Sequence, residues 1–430
     1  MLLDRLFSHL ITVGTLELVD ADGVTHCYRG GEDGPHVTIR LHDKGLYTRI
    51  FVNPELYVGE AYMNGTLTVE NGGTIYDFLV LATMNIEKAG GSLHPFANFV
   101  KRIDIKLRRF YQRNSQLWAR KNVAHHYDLS GELYDLFLDE DRQYSCAYFP
   151  TGDEDLETAQ KLKKQHIAAK LLLEPGQKVL DIGCGWGGMG LYLAGECGAD
   201  VKGVTLSQEQ LKRARARAEN AGLAETARFD LEDYRKVEGQ FDRIVSVGMF
   251  EHVGVGYYRT YFRKIRELLT DDGVALVHTI GRFDPPGTTN PWIRKYIFPG
   301  GYIPALSEIM KAIELEGLWV TDVEVLRLHY AETLKHWRDR FDANREKAAA
   351  IYDETFCRMW EFYLAGSEVS FRFLGNNNFQ IQLARKQDAV PLTRDYITDW
   401  ERSANRVAGS GAINENVQAE KPAAKKKKGA

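Results

Sequence analysis

Alternating apolar and polar residues in the first part of the chain predict short β-strands. Residues 15–19, 37–41 and 46–52 place apolar side chains at every second position, which gives a strand one buried and one exposed face. Residues 77–88 have apolar side chains at helical spacing and predict a helix. No cluster of catalytic side chains occurs in residues 1–93, so we expect a small N-terminal α+β accessory domain there.

The pattern changes after residue 178, where continuous apolar runs alternate with helical patterns. The runs are typical of buried strands, and the segments between and after them are typical of amphipathic helices. Strands are predicted at residues 178–180, 201–205, 241–247 and 273–278, helices at 208–222, 258–269, 306–316 and 331–364, and one or two final strands at 371–383. This alternation predicts an α/β fold with a doubly wound parallel sheet.

A glycine-rich loop follows the first of these strands. Residues 179–190 read VLDIGCGWGGMG, with Asp181 at the turn and Gly183, Gly185 and Gly187 crowding the loop. Glycine is needed where the backbone approaches a ligand closely or takes positive φ, and the next helix offers its unpaired N–H groups to that ligand. The loop therefore predicts a nucleotide-type site at the carboxyl end of a parallel strand. A glycine-rich turn without a ligand is the alternative.

The second strand decides which nucleotide the loop favours. A dinucleotide site has an acid about 20 residues further on for the ribose, whereas the second strand ends at Thr205 and continues into Leu206 and Ser207. This sequence is evidence against NAD. An acid before the glycines, as Asp181 is, suits S-adenosylmethionine, which carries a sulfonium and a zwitterionic amino acid end.

Composition and charge narrow the classes of function. The 430 residues, 44% hydrophobic, are enough for two domains with their own cores, and the net charge of −4 gives no general affinity for polyanions. The five cysteines have no metal-type spacing, so neither a zinc site nor a disulfide framework is expected. No run reaches the length of a membrane span, and the chain is expected to be cytoplasmic.

Residues 94–124 differ from the rest because they are strongly basic and rich in aromatic residues. Eight Lys or Arg residues face a single acid, Asp104, which is typical of a helix at an anionic membrane surface. An interdomain helix with a solvated basic face is the alternative, and nucleic acid is less favoured. Residues 401–430, which end in four consecutive lysines, are predicted to be a disordered tail.

Several longer motifs carry a resemblance to a known family. They are HHYDLSGELYDLFLD (125–139), QYSCAYF (143–149), LDIGCGWGG (180–188), GVTLSQEQ (203–210), DRIVSVGMFEHVG (242–254), HTIG (278–281) and NPWIRKYIFPGG (290–301). From about residue 125 to 385 the chain resembles the cyclopropane-fatty-acyl-phospholipid synthases, and residues 1–93 resemble the N-terminal, lipid-related domain of that family. The resemblance implies a seven-stranded methyltransferase-type sheet, with a catalytic domain at residues 125–400.

This resemblance implies a specific chemistry. An isolated cis alkene is a poor nucleophile, so the sulfonium methyl must be held in line with it, and such positioning supplies roughly 7–11 kcal/mol. Methyl transfer leaves a carbocation, and a base must remove a proton from the new methyl group so that a cyclopropane ring closes. In the family the base is a bound bicarbonate in an apolar cavity that excludes water.

The resemblance also implies which residues hold the bicarbonate. They are Cys146, Glu251, His278, the backbone of Ile280 and Tyr330. Each has an alternative explanation: Cys146 as an inert buried thiol, His278 as a satisfied core histidine and Tyr330 as a packed aromatic residue. His278 is expected to be a partner of the buried Glu251 carboxylate, since buried carboxylates need partners.

For the cofactor, the resemblance implies a second set of residues that surrounds S-adenosylmethionine. They are Tyr144, Ser145, Asp181, Gly183, Gly185, Gly187, Thr205, Gln210, Glu232 and Asp233. Thr205 and Gln210 are expected to bond the ribose hydroxyls, and Asp233 to lie near the adenine. One position departs from the family, because Ser367 stands where relatives often have cysteine; a covalent thiol mechanism is not available there.

Two other classes of function remain open from the sequence. One is an S-adenosylmethionine-dependent methyltransferase that makes a methyl-branched acyl chain, in which a hydride shifts before the proton leaves. The other is a lipid-binding protein that keeps the fold without turnover. The expected partner is an unsaturated phospholipid reached by peripheral contact with the inner face of the membrane, and a homodimer is possible for this family.

Overall fold

A computed structural model describes residues 2–88 and 129–410 of the chain. The basic stretch 94–124 lies outside these residues, as does the lysine run near the C-terminus. No helix of the described residues is long and apolar enough to cross a membrane.

The first part of the chain forms a four-stranded sheet with helices packed on it. Its elements are α1 (Leu2–Leu10), β1 (Val13–Val19), β2 (Thr25–Arg29), β3 (Glu32–Leu41), α2 (Gly45–Val52), α3 (Pro54–Met63), β4 (Leu67–Glu70) and α4 (Ile75–Lys88). The strand order is β2-β1-β3-β4, with β1 and β3 parallel and the other pairs antiparallel. An α+β arrangement at the N-terminus is confirmed.

One predicted strand in this part is wrong. Residues 46–52 form most of α2, although their alternation is typical of a strand. The helix buries Leu46 and Ile50, which are four residues apart and so lie on one helical face. The Asp43 side chain accepts a hydrogen bond from the Gly45 N–H at 2.8 Å at the start of the helix. Packing of this face against the core outweighs the β-propensity of the segment.

The second part of the chain is built on a seven-stranded sheet. Its elements up to the fifth strand of this sheet are α5 (Gly131–Asp135), α6 (Leu156–Lys170), β5 (Lys178–Ile182), α7 (Gly188–Gly195), β6 (Asp200–Thr205), α8 (Gln208–Asn220), β7 (Ala227–Leu231), β8 (Phe241–Val247), α9 (Tyr258–Leu268) and β9 (Leu269–Arg282). The remaining elements are α10 (Pro291–Tyr296), α11 (Leu306–Leu315), β10 (Trp319–Val325), α12 (His329–Ala343), α13 (Arg345–Ile351), α14 (Glu354–Phe373), β11 (Asn376–Ala384) and α15 (Asp395–Ser410).

The strand order explains where a ligand site can form. The order is β10-β11-β9-β8-β5-β6-β7, parallel from β9 to β7, with β10 and β11 antiparallel at one edge. The chain moves from β5 toward β7 on one side and then returns to β8 on the other side. Ligands bind at such a switch point, beyond the carboxyl ends of the strands. The predicted doubly wound α/β fold with seven strands is confirmed.

The C-terminal end of this sheet differs from the sequence prediction in one respect. The helix α14 continues to Phe373, so the predicted strand does not begin at residue 371 but at Asn376. Trp360, Leu364, Glu368 and Phe371 are buried along one face of α14, and this helical periodicity overrides the aromatic, β-prone composition at its end. Gly375, with φ of +73°, separates the helix from the strand.

The two parts meet through α3 and α10. The indole Nε1 of Trp292 donates a hydrogen bond to the Met63 sulfur at 3.1 Å, and the Glu60 carboxylate accepts one from Lys295 at 2.6 Å. Tyr62 donates a hydrogen bond to Glu361 of α14 at 2.9 Å. Apolar and polar contacts therefore join the four-stranded sheet region to the region that follows β9.

Candidate active site

A cavity opens beyond the carboxyl ends of β5, β6 and β8, at the switch point of the sheet. It is lined by every residue predicted for the cofactor except Gly187: Tyr144, Ser145, Asp181, Gly183, Gly185, Thr205, Gln210, Glu232 and Asp233. These residues come from the segment before α6, from the ends of β5, β6 and β7 and the turns after them, and from the first turn of α8. Residues that are 89 positions apart in sequence thus meet around one space.

The glycine-rich loop forms the floor of this cavity. Gly183 and Gly185 have φ of +84° and +54°, which side chains rarely adopt, and a Cβ on Gly183 would lie 2.9 Å from Met249. Gly187 also has positive φ, but a Cβ there would lie 3.0 Å from Ala214. Gly187 does not line the cavity; its role in this structure is to let α7 pack closely on α8.

Asp181 gives the cavity a buried negative group. Its side chain is 1% exposed and its Oδ2 has no hydrogen-bond partner. Burial raises the pKa of the Asp181 carboxyl to about 7. A buried carboxylate oxygen without a partner matches a ligand that brings a positive charge, as the amino acid end of S-adenosylmethionine does.

The opposite wall of the cavity offers groups for a sugar and a base. The Thr205 hydroxyl donates to Gln210 Oε1 at 2.8 Å, so the two side chains are held together at the end of β6. The Asp233 carboxylate accepts hydrogen bonds from Arg235 Nε at 2.8 Å and Arg235 Nη2 at 2.6 Å, while Glu232 pairs with Lys202 at 2.8 Å. The residues present therefore fit a nucleoside with an amino acid tail, and they would hold it by hydrogen bonds rather than by net charge.

Glu251 lies in a turn just beyond β8. Its Oε1 accepts a hydrogen bond from the Ile280 N–H at 2.6 Å, and its buried Oε2 has no partner. Burial raises the pKa of the Glu251 carboxyl to about 7. The Ile280 carbonyl accepts a hydrogen bond from Thr279 at 3.1 Å. Both backbone groups of Ile280 are therefore engaged within the protein, and Glu251 Oε2 is the group left for a small hydrogen-bonding ligand.

His278 does not partner Glu251 as the sequence led us to expect. Its Nε2 lies 3.0 Å from the Asn378 side-chain amide and its Nδ1 lies 3.2 Å from that of Gln380. Asn378 and Gln380 belong to β11, which pairs with β9 and places these residues beside the ring. Burial lowers the pKa of His278 well below its usual range, so the ring is neutral, with one donor and one acceptor nitrogen.

Cys146 and Tyr330 lie in an apolar cluster together with Ile280. Cys146 is fully buried, and burial raises the pKa of its thiol, so the thiolate is not formed at neutral pH. The Tyr330 ring lies 4.8 Å from Phe371 and 5.8 Å from Trp337. None of the five predicted catalytic residues lines the cavity. Cys146 follows the lining residue Ser145 in the sequence, and Glu251 stands between the lining residues Met249 and His252.

An aromatic group connects the cavity wall to this apolar cluster. Tyr144 stacks on Trp337 at 5.1 Å, and its hydroxyl lies 2.8 Å from that of Tyr363. Trp360 lies 5.1 Å from Tyr363, and all these rings belong to the same cluster as Cys146 and Tyr330. Tyr144 also lines the cavity. A space beside this group would be apolar, and the ring faces would favour a positive charge.

Sequence reasoning missed several residues at the cavity. Arg142 lines it with φ of +51°, and its guanidinium pairs with Asp135. Gln143 and His252 also line it, and burial lowers the pKa of His252 to about 4. Lys163 lies behind it, fully buried. Gln143 is the first residue of the QYSCAYF motif and His252 lies within the FEHVG segment, and these motifs were the only sequence signal for the two residues.

The fold and the cavity together define an S-adenosylmethionine-dependent methyltransferase. Comparisons with known proteins specify the family. The model of the mycolic acid cyclopropane synthetase family matches residues 114–381, and a domain model without an assigned function matches residues 2–89. The chain belongs to the mycolic acid cyclopropane synthetase family and is an enzyme of the methyltransferase class.

Curated relatives include enzymes with two kinds of names. A probable fatty acid methyltransferase of Pseudomonas putida is 44% identical over 287 residues, which cover 64% of this chain and 72% of the relative. The cyclopropane-fatty-acyl-phospholipid synthase of Escherichia coli strain K12 is 38% identical and covers 81% of this chain and 87% of its own. The tuberculostearic acid methyltransferase of Mycobacterium tuberculosis is 37% identical, covering 86% and 87%.

Solved structures give the same result for the second part of the chain. The cyclopropane synthase MmaA2 of Mycobacterium tuberculosis superimposes with a TM-score of 0.59 at 32% identity, covering 62% of this chain and 98% of that one. The mycolic acid cyclopropane synthase CmaA1, solved with S-adenosylhomocysteine and CTAB, has a TM-score of 0.58 at 34% identity and covers 61% and 97%. These matches support the use of S-adenosylmethionine.

Proposed function

We propose that this enzyme transfers a methylene group from S-adenosylmethionine to the cis double bond of an unsaturated phospholipid acyl chain and so forms a cyclopropane fatty acid. The observation that carries this proposal is the arrangement at Ile280. Glu251 is held by the Ile280 N–H with its second oxygen without a partner, and Ile280 packs in the cluster that contains Cys146 and Tyr330. A polar acceptor thus stands at the edge of an apolar space.

The proposed reaction requires a polar acceptor next to an apolar space. One alkene carbon takes the methyl group, its neighbour becomes a carbocation, and one proton of the new methyl group must leave so that the ring closes. We propose that a bicarbonate accepts that proton, with Glu251, His278, Cys146, the Ile280 backbone and Tyr330 around it. The Glu251 carboxylate would accept a hydrogen bond from the bicarbonate hydroxyl and so orient its other oxygens. The aromatic cluster would exclude water, which would otherwise trap the cation.

The cofactor-side residues would act by orientation. Asp181, Thr205 and Gln210 would fix the amino acid and ribose ends, and Tyr144 stands between the cavity and the aromatic cluster. S-adenosylmethionine supplies the electrophilic methyl group when it is bound. Holding that methyl group in line with the alkene is the largest contribution asked of the protein.

A methyl-branched product is the second candidate. It is favoured by the names of two relatives, a probable fatty acid methyltransferase and the tuberculostearic acid methyltransferase. In that reaction a hydride shifts to the cation and loss of a proton leaves a methylene-branched alkene, which a cellular reductant must then reduce to the methyl branch. Both products therefore begin with the same methyl transfer.

Lipid analysis decides between the two products. Cells that express the protein should accumulate acyl chains that are about 14 mass units heavier, and mass spectrometry of intact phospholipids would detect them. Proton NMR then separates a ring from a branch. High-field signals of cyclopropane methylene protons are expected. Olefinic signals of a methylene branch, or a branched methyl signal with a gain of about 16 mass units after reduction, would overturn the cyclopropane proposal, and no mass gain would overturn both.

The proposed substrate lies in a membrane, so we also propose peripheral contact with anionic lipid. The basic stretch 94–124 is the sequence candidate, and its position is outside the residues that the structure describes. Each Lys or Arg near an anionic surface contributes about 1 kcal/mol, which salt weakens. Charge reversal at Arg108, Arg109 and Arg113 should reduce sedimentation with anionic vesicles and leave the weak binding to neutral vesicles unchanged. Equal binding by both proteins would contradict this role.

A further inference from the structure

Lys163 is a fully buried lysine in α6 whose partners belong to the cavity wall. Its ammonium donates hydrogen bonds to Gln143 Oε1 at 2.7 Å and to Ser145 Oγ at 2.9 Å. Both partners line the cavity. The neighbouring Gln160 amide donates to the carbonyls of the same two residues at 3.1 and 3.0 Å. Helix α6 therefore holds residues 143–145 from behind through four hydrogen bonds.

Lys163 forms no direct ion pair with the described residues. Within residues 2–88 and 129–410, no carboxylate oxygen lies within ion-pair distance of its Nζ. Lys170, on the same helix, is also buried but pairs with Glu324 and Asp322. A buried ammonium that bonds only neutral oxygens is costly, so its retention at a cavity wall points to an anion that arrives with a ligand.

The charged groups around Lys163 do not offset the effect of its burial. Burial lowers the pKa of Lys163 to about 7, and the nearby carboxylates of Asp139 and Asp141 oppose this shift, while Lys164 adds to it. The charge of Lys163 also acts on Cys146 and His278. Lys163 is therefore near Cys146 and His278 as well as the cavity wall.

We propose that Lys163 is a positioning residue that orients the Ser145 hydroxyl toward a carboxylate-type anion in the cavity and supplies the positive charge behind it. With the Ser145 oxygen accepting from Lys163, the hydroxyl proton points away from the lysine and is available to the anion. The carboxylate of the cofactor's amino acid end is one source of this anion, and bicarbonate is the other. This inference rests on the use of S-adenosylmethionine and is independent of which lipid product is formed.

Calorimetry on the full chain tests whether the anion is the carboxylate of the cofactor. Lys163→Met keeps the length and apolar stem of the side chain and removes its charge. We expect this variant to bind S-adenosylhomocysteine about tenfold more weakly than the wild type, because a charge-assisted contact is lost. Its affinity for 5′-methylthioadenosine, which lacks the amino acid end, should be unchanged. Lys170→Met is the matched control: it removes a buried lysine from the same helix and should leave both affinities unchanged.

Two further measurements separate positioning from general destabilisation. Ser145→Ala and Lys163→Met should weaken S-adenosylhomocysteine binding non-additively, since the lysine acts through the hydroxyl. Lys163→Arg, which keeps the charge, should restore part of the affinity. If the affinities are unchanged but Lys163→Met raises the bicarbonate concentration needed for half-maximal turnover, the anion is bicarbonate and the proposal holds. Equal weakening for both nucleosides, or no change in any of these quantities, would overturn it.

Discussion

The cofactor cavity and the predicted catalytic cluster lie next to each other but are built in different ways. The cavity is lined by the glycine-rich loop and by polar, aromatic and apolar side chains near strand ends, with Gly183 and Gly185 giving the loop its shape. The predicted catalytic residues are buried side chains from separate elements, among them Glu251, His278 and Tyr330. One region should control affinity and the other turnover, and each can be altered while the other is measured.

The substitution Glu251→Gln should separate the effects of the two regions most clearly. Losing one oriented electrostatic contact should lower turnover about 10²–10³-fold, while S-adenosylhomocysteine affinity stays near that of the wild type. The folded-state pKa of Glu251 is raised, so its protonated form stabilises the fold at low pH and this contribution is lost as pH rises through about 7.

Glutamine is uncharged, so it does not carry the cost of a buried carboxylate above pH 7. The melting temperature of the Glu251→Gln variant at pH 8 should therefore not fall. A variant that loses affinity or stability in proportion to turnover would show that the two regions cannot be separated. Turnover near wild type at saturating bicarbonate would remove Glu251 from the proposed mechanism.

Asp181→Asn tests the opposite side of the comparison. The change removes the buried negative charge and should weaken S-adenosylhomocysteine binding about 10–100-fold, the range expected for a lost charge-assisted hydrogen bond. Calorimetry measures this directly, and NAD serves as the negative control, since no acid follows Thr205 in the manner of a dinucleotide site. Binding of NAD by the wild-type protein would contradict the assignment of the cavity.

The pH dependence of binding gives a smaller effect from the same residue. Burial raises the pKa of Asp181 to about 7, so below this pH the carboxyl is protonated and cannot pair with a cationic amino group. Affinity should fall by about tenfold for each pH unit below 7. Calorimetry at pH 6, 7 and 8 tests this, and the Asn variant should show a flat profile; a parallel slope in both proteins would assign the effect to another group.

The smallest expected effect lies at the boundary between the regions. Tyr363→Phe removes the hydroxyl that lies 2.8 Å from Tyr144 and retains the ring. A neutral hydrogen bond contributes about 1 kcal/mol, so the apparent affinity for S-adenosylhomocysteine or the turnover should change by only a few fold. The larger of the two changes shows which region Tyr144 serves more. Loss of more than a hundredfold would mean that the boundary is part of the catalytic cluster.

The different construction of the cavity and of the catalytic residues also explains which site residues could be predicted from the sequence. The glycine loop is a local pattern, and every cofactor residue predicted from the motifs except Gly187 lines the cavity. Lys163 belongs to no such local pattern. It lies in the run KLKK, whose first lysine, Lys161, is exposed. Only tertiary packing distinguishes the buried lysine from its neighbour. A run of lysines is ordinarily a solvated face.

Hydrogen-bond partners that come from another strand could not be predicted from the sequence either. Asn378 and Gln380 reach His278 only because β11 pairs with β9 in one register. This register cannot be predicted from the sequence of either strand alone. The strand predicted at residues 46–52 failed for a related reason: burial of one face against the core, not local alternation, decided its conformation. The roles of the five predicted catalytic residues remain predictions, and so do the predicted domain limits.

Gly59 gives the first domain an influence on a cavity that it does not line. A Cβ at this position of α3 would lie 2.6 Å from the Trp292 indole, so any larger residue must displace this side chain, which belongs to α10. Pro299 and Gly300, which line the cavity, follow α10 after two residues. In a saturation-mutagenesis map of the first domain, this glycine would therefore stand out as an intolerant position whose substitutions lower cofactor retention, although they change no residue of the catalytic domain.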